Sequence, residues 1–260
     1  MPSAMQYHIN HLFGINSVLE KLKASPADVQ EIIVAEGSGR ERLRWIIVQA
    51  RRLGLAVTYL PVRELDRLSH GQRHQGVVAR VEAYSYPSFD ELLERTTNSP
   101  AGDWILVLDG IVDPRNFGAL LRTAEAAGVK HVVIPKDRSV DVTPVAVTAS
   151  AGAVHHLYIY KVTNLRRSLQ ELKTHGYWTV ALDAKAKESI YDRVYPEKLA
   201  IVLGGEGKGV RPVNLRECDF YVSVPMLGKV SSLNVGIAGA VFLYELLRQR
   251  KSIVPTGSGR

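Results

Sequence analysis

Apolar positions along the chain switch between two spacings. Ile15, Val18, Leu19 and Leu22 recur at helical intervals, EIIVAE (31–36) is a short apolar run, and Leu43, Ile46, Ile47 and Ala50 mark a second helix stopped by Gly54. LAVTYL, VRELDRL and QGVVARV then read as strand, helix and strand. Residues 1–83 are therefore expected to form a small α/β domain.

The second half alternates more strongly. WILVLD (104–109), HVVIP (131–135), LYIY (157–160), WTVAL (178–182), LAIVLG (199–204) and FYVSVP (220–225) are short runs, several almost continuously apolar, as strands covered on both faces must be. Helical patterns lie between most of them: 116–127 closed by Gly128, 163–174 closed by Gly176, and a last one over about 232–250. Strands alternating with helices predict an α/β domain built on a parallel sheet over residues 101–250. Between the halves, YSYPSFDELLERTTNSP (84–100) is bracketed by Pro87 and Pro100 and is expected to be a linker whose DELLER core forms a short helix. The tail, 251–260, is expected to fray.

Composition narrows the function classes. With 46% hydrophobic and 23% charged residues among 260, the chain is an ordinary globular protein. Its net charge of +7 suits a polyanionic partner. Cys218 stands alone, so no intrachain disulfide forms and a reducing compartment fits. The N-terminal stretch lacks a secretory h-region, and the longest uncharged apolar run, Val235 to Tyr244, is short of the ~20 residues that span a bilayer. A cytoplasmic protein without a membrane partner is expected. His8, His11, His70, His74, His131, His155, His156 and His175 show no ligand spacing, so no metal site is expected.

Three stretches are unusual for scaffolding alone. LDGIVDPRNFGALLRTAEAAG (108–128) runs from a strand end through a Pro turn into a helix, with Asn116 where an N-cap is wanted and Arg122 six positions later. IVLGGEGKGV (201–210) fails the phosphate-loop template, because Gly209 follows Lys208, and the dinucleotide template, because Val210 replaces the third glycine. What it does is bring Glu206 to the carboxyl edge of the sheet, where open α/β folds bind ligands. VPMLGKVSSLNVGIAGAV (224–241) clusters Ser231, Ser232 and Asn234 at a helix start, a serine there being a routine cap, and Gly236 and Gly239 on the helix body indicate close packing.

In this order and spacing, the three stretches closely resemble the three motifs of the SpoU class of SPOUT methyltransferases, which transfer a methyl group from S-adenosylmethionine to a ribose 2′-hydroxyl of RNA. HQGVVARV, PKDRS, VTNLRRSL and VPMLGKVSSLNV resemble those members that modify a guanosine of large-subunit (23S) ribosomal RNA. The resemblance implies an N-terminal ribosomal-protein L30e-like RNA-binding domain whose opening helix matches NHLFGINSVLE. It also implies a C-terminal domain with a deep trefoil knot, which periodicity could not have suggested, and a homodimer whose active site is completed across the interface. Carried over by position, the catalytic set is Asn116, Arg122, Glu206, Ser232 and Asn234, and the cofactor's adenine falls near Leu182, Gly204, Val224, Met226 and Leu233. The arginine matching Arg122 is either the base or a group that binds phosphate and steadies the developing alkoxide, since a guanidinium with pKa above ~12 is a poor base unless desolvated. Sister enzymes carry the same motifs to transfer RNA or other ribosomal sites. A non-catalytic RNA-binding protein and a nicotinamide-dependent Rossmann enzyme are the readings from other classes; the second lacks its glycine fingerprint.

Overall fold

A computed structural model describes residues 9–38, 41–97 and 103–253. The elements in chain order are β1 (Ile9–Phe13), α1 (Ile15–Ala24), β2 (Val29–Ala35), α2 (Glu41–Arg52), β3 (Ala56–Leu60), α3 (Val62–Leu68), β4 (Val77–Glu82), α4 (Phe89–Thr97), β5 (Ile105–Asp109) and α5 (Pro114–Ala126). They continue with β6 (His131–Pro135), α6 (Pro144–Ala149), β7 (Tyr158–Val162), α7 (Leu165–Thr174), β8 (Trp178–Leu182), β9 (Glu188–Ser189), β10 (Leu199–Gly204), α8 (Pro212–Leu215), β11 (Phe220–Ser223) and α9 (Val235–Ile253). His8 and residues 254–260 of the expected tail lie outside the described residues, as do Ser99 and Pro100.

The chain divides into two compact units, Met1–Ser85 with Val142–His156, and Tyr86–Asp141 with Leu157–Arg260. The first unit holds a four-stranded sheet in the order β1-β4-β2-β3, with β2 and β3 parallel and β4 antiparallel to both its neighbours. Phe13, Ile33, Ala35, Leu65 and Val78 form one of its apolar clusters. Val18 and Leu22 of α1 and Leu43, Ile46 and Ala50 of α2 are buried at the predicted helical spacing. The opening segment differs from the expected helix. Ile9–Phe13 pairs antiparallel with β4, and the helix starts only after Gly14, whose φ of +92° reverses the chain at a conformation that favours glycine.

Two stretches fall differently from the composition-based boundaries. The region expected to link the halves carries α4, whose Leu92 is fully buried in the core of the second unit with Phe89 and Leu93 packed beside it. The segment Val142–His156, read from sequence as part of the second half, packs in the first unit. There the Thr143 hydroxyl caps α6, Thr148 donates to the Phe13 carbonyl at 3.3 Å, and a Cβ on Gly152 would lie 2.6 Å from Glu20.

The second unit is a seven-stranded sheet in the order β7-β6-β5-β10-β8-β11-β9, with every pairing parallel. β5, β6 and β10 are buried along their whole length, which explains their unbroken apolar sequence. The chain steps outward from β5 through β6 to β7, then crosses to β8, and β10 later inserts between β5 and β8. That reversal of direction puts the carboxyl ends of β5, β10, β8 and β11 side by side at a topological switch point, the usual place for a ligand in an open α/β sheet. Among the described residues no helix is long and apolar enough to cross a membrane.

Candidate active site

The loops leaving β5, β10 and β11 bring three polar side chains together. α5 is capped by Asp113, whose carboxylate accepts from the Arg115 amide at 2.9 Å, with Pro114 at the first helical position. The expectation that Asn116 is the cap is thus corrected. Asn116 lies inside the first turn, and its side chain is free to donate to Glu206 Oε1 at 2.7 Å. Asn234 is the residue that caps α9, accepting from the Gly236 amide at 2.9 Å, so the serine-cap reading is corrected as well. Its Nδ2 donates to Glu206 Oε1 at 2.7 Å and to Asn116 Oδ1 at 3.1 Å. One carboxylate oxygen therefore holds two amide groups, each anchored at a helix N-terminus.

Glu206 rides on a turn with no spare volume. A Cβ on Gly204 would lie 1.9 Å from the Gly209 carbonyl carbon, and one on Gly205 would lie 2.3 Å from the Gly110 oxygen. The turn closes through a Gly209 amide to Gly205 carbonyl bond of 2.9 Å. Both ends of it are fastened to Asp109, the last residue of β5. The Asp109 carbonyl accepts from the Gly205 amide at 2.9 Å. Its carboxylate, with no exposed surface, accepts from the Arg211 amide at 2.8 Å, Arg211 Nε at 2.6 Å and Asn214 Nδ2 at 2.8 Å. These bonds fix the position of Glu206 relative to the strand that leads into α5.

Beside this cluster is a cavity of about 440 Å³. All five residues expected near the adenine, Leu182, Gly204, Val224, Met226 and Leu233, line it, together with Glu206, Ser232 and Asn234 of the expected catalytic set. Asn116 reaches the cavity wall through Glu206. Arg122 stands apart: it is exposed on α5, is not part of the lining, and makes no ion pair or side-chain hydrogen bond among the described residues. Gly239 of α9 packs so closely that a Cβ there would come within 2.7 Å of Leu120 and 2.8 Å of Leu203, which presses α9 onto α5 and β10.

Residues 103–244 match the model of the SpoU rRNA Methylase family. The chain belongs to this family. Residues 11–87 also match the RNA 2′-O ribose methyltransferase substrate binding model. Among relatives of this SpoU chain, a protein of Bacillus subtilis named for the TrmH family of tRNA/rRNA methyltransferases is 38% identical, covering 96% of this chain and 99% of its own. The 23S rRNA (guanosine-2′-O-)-methyltransferase RlmB of Haemophilus influenzae is 40% identical over 92% of this chain and 97% of its own. A crystal structure of an RNA 2′-O ribose methyltransferase superposes with a TM-score of 0.76 at 27% identity, covering 93% of this chain and 88% of that one.

Sequence reasoning missed the buried Asp109, Arg211 and Asn214 network. Its one visible sign was an aspartate ending the otherwise apolar run WILVLD, a charge where a buried strand stops. It also missed Asp183 and Lys185 in the cavity lining. The thiol of Cys218 is buried and its pKa is pushed up to about 12, chiefly by desolvation, so it is no nucleophile. Among the described residues no group of three His, Cys, Asp or Glu side chains is placed to hold a metal.

Proposed function

We propose that this SpoU-family protein transfers the methyl group of S-adenosylmethionine to the ribose 2′-hydroxyl of a guanosine in large-subunit (23S) ribosomal RNA, as a cytoplasmic homodimer. The observation that carries the reading is the convergence of Asn116 and Asn234 on Glu206, which with Asn234 lines one cavity. The lining fits the cofactor. Leu182, Leu203, Val224, Met226 and Leu233 offer apolar surface to a flat ring, and the backbone of Gly204–Gly209 offers donors and acceptors to its polar edge. When bound, the cofactor supplies a methyl on a sulfonium, whose departure leaves a neutral thioether.

The protein's own task is then positioning, because an activated methyl needs the attacking oxygen in line rather than covalent help. Glu206 holds the amides of Asn116 and Asn234 in register, and these fix the loops that face the transferred group. Ser232, exposed beside Asn234, offers a hydroxyl to the RNA. Arg122 is exposed rather than buried among cations, which suits a phosphate or a developing alkoxide better than proton abstraction.

The homodimer accounts for the distance of Arg122 from its own chain's cavity. Arg115, Ala119 and Arg122 share one exposed stripe of α5, and α9, packed against α5, exposes Ile237 (56%) and Tyr244 (51%) one heptad apart. A two-fold contact through this partly apolar face would carry Arg122 of each chain toward the other's cavity. The reading also assigns RNA binding to the first unit, methyl transfer to the second, and a trefoil knot to the crossing of the loops after β10 and β11.

The test is ribose-methylation mapping of 23S RNA incubated with protein and cofactor, run beside Arg122→Ala. The variant is expected to lose at least a thousandfold in kcat while titration calorimetry gives an unchanged affinity for S-adenosylhomocysteine. Near-normal turnover of the variant would make Arg122 an ordinary surface arginine and overturn its role.

A further inference from the structure

Helix α2 of the first unit has an outer face that the fold does not use. Its buried side is Leu43, Ile46 and Ala50. Opposite, at i, i+1, i+4, i+7 and i+8, stand Arg44, Trp45, Val48, Arg51 and Arg52, all exposed. Trp45 is 42% exposed and Val48 45%, and the bare indole has neither a ring contact nor a cation above it among the described residues. Arg44, Arg51 and Arg52 make no ion pair and no side-chain hydrogen bond among the described residues. Four other cations of the same unit are paired, Lys21 with Asp28, Lys23 with Glu20, Arg67 with Glu64, and Arg80 with Glu31, while Arg42, Arg63 and Arg73 stand singly without an ion pair among the described residues. Three unpaired guanidinium groups along one helix repel rather than stabilise one another, and the tryptophan among them leaves 42% of its surface open to solvent.

We infer that this face of α2 is a contact surface for the RNA substrate, with Arg44, Arg51 and Arg52 on backbone phosphates and Trp45 stacking on an unpaired base. The chemistry is complementary on both counts. Arginine forks match phosphate oxygens bidentately, and an open indole face is the usual platform for an unstacked base. Arg44 and Arg51 are seven residues apart, about 10 Å along the axis at 1.5 Å per residue, so they touch different phosphates of one strand. A protein partner would be expected to meet a larger apolar patch, and the only apolar side chains on the face are Trp45 and Val48.

The inference rests on the reading of this protein as an RNA methyltransferase, and the experiment separates the two. Full-length protein is compared with the triple variant Arg44→Gln, Arg51→Gln, Arg52→Gln, and separately with Trp45→Ala and Trp45→Phe, in binding to a 23S RNA fragment across a salt series. Circular dichroism and thermal melting against wild type report that the first unit of each variant is folded, and S-adenosylhomocysteine affinity reports the same of the second. The triple variant is expected to bind RNA at least tenfold more weakly and to lose about two from the slope of log K against log salt, each lost phosphate contact being worth ~0.7–0.9. Trp45→Ala should weaken binding about fivefold to a hundredfold with the slope kept, because base stacking on an aromatic is worth ~1–3 kcal/mol, and Trp45→Phe should restore most of it. RNA affinity and slope equal to wild type in a folded triple variant would overturn the inference and assign the face to another partner. Wild-type protein that methylates no ribosomal RNA would overturn the parent reading instead.

Discussion

The Glu206 cluster of the second unit and the outer face of α2 in the first treat polar groups in opposite ways. At Glu206 the polar side chains bond one another, one carboxylate oxygen holding two amides, and the turn beneath is fastened to the buried Asp109. On the outer face of α2 the arginines have no ion-pair partner among the described residues. A site for a small cofactor and one transferred carbon gains from being rigid before anything binds, since misplacement by an ångström costs rate. A surface for a long polyanion gains from charges left open to phosphate.

Crowding at the turn gives the largest expected effect. Gly204→Ala would drive a methyl group into the Gly209 backbone, whose carbonyl carbon is 1.9 Å from the new Cβ, and backbone cannot swing aside as a side-chain end can. S-adenosylhomocysteine binding by calorimetry is expected to fall at least a hundredfold, with methyl transfer lost. A Gly204→Ala protein that binds the thioether normally would show that the turn is slack and that the contrast with α2 is overstated.

How much of this was legible depends on the kind of signal. β6, β8, α3 and β10 coincide with their apolar runs because a strand buried on both faces or a short amphipathic helix writes its own period. The five residues expected around the adenine line one cavity because the loops carrying them end neighbouring strands. Failures arose where the partner is distant in sequence. Nothing local says that Val142–His156 packs beside Phe13 and Glu20, or that the DELLER helix buries Leu92 in the second unit. Asn116 was read as a cap although Asp113 followed by Pro114 is the stronger start signal. Its true partner, Glu206, lies 90 residues on.

A smaller effect is expected at the fastening beneath the turn. In Asp109→Asn one oxygen still faces Arg211, but the new amide nitrogen meets the Asn214 Nδ2 donor, at 2.8 Å in the native pair. Losing a hydrogen bond to a buried charge costs about 1.5–3 kcal/mol. Melting should move down by several degrees, and kcat should fall about tenfold because Glu206 is no longer held. Pairing Asp109→Asn with Asn214→Asp restores a donor facing an acceptor at that contact but leaves the Arg211 amide, which bonds the same Asp109 oxygen at 2.8 Å, facing the new amide nitrogen, so kcat should recover only in part. A lowered melting point with kcat untouched in the single variant would mean that Asp109 stabilises the sheet without positioning Glu206.

The smallest effect at neutral pH becomes visible only in acid, and it sets the two units against each other once more. His131 at the start of β6 is buried against Tyr160 and Tyr158, and its pKa is pushed down to about 4, mainly by desolvation, with Lys130 and Arg95 adding to the shift and Asp103 opposing it. His155 in the first unit is pushed down to about 3 by burial, helped by Lys21 and His156 against Asp28 and Glu20. An unfolded histidine takes its proton near pH 6.5, so between that value and the folded pKa the unfolded chain binds more protons, and stability falls as pH falls. For His131 the loss grows to roughly 3 kcal/mol by pH 4 and is absent at pH 8. Thermal melts of His131→Gln should therefore match wild type within about 1 kcal/mol at pH 8 and fall less steeply below pH 6.5, while His155→Gln should flatten the acid response of the first unit alone. Parallel pH profiles for wild type and both variants would mean that other groups, the paired carboxylates first among them, govern acid unfolding.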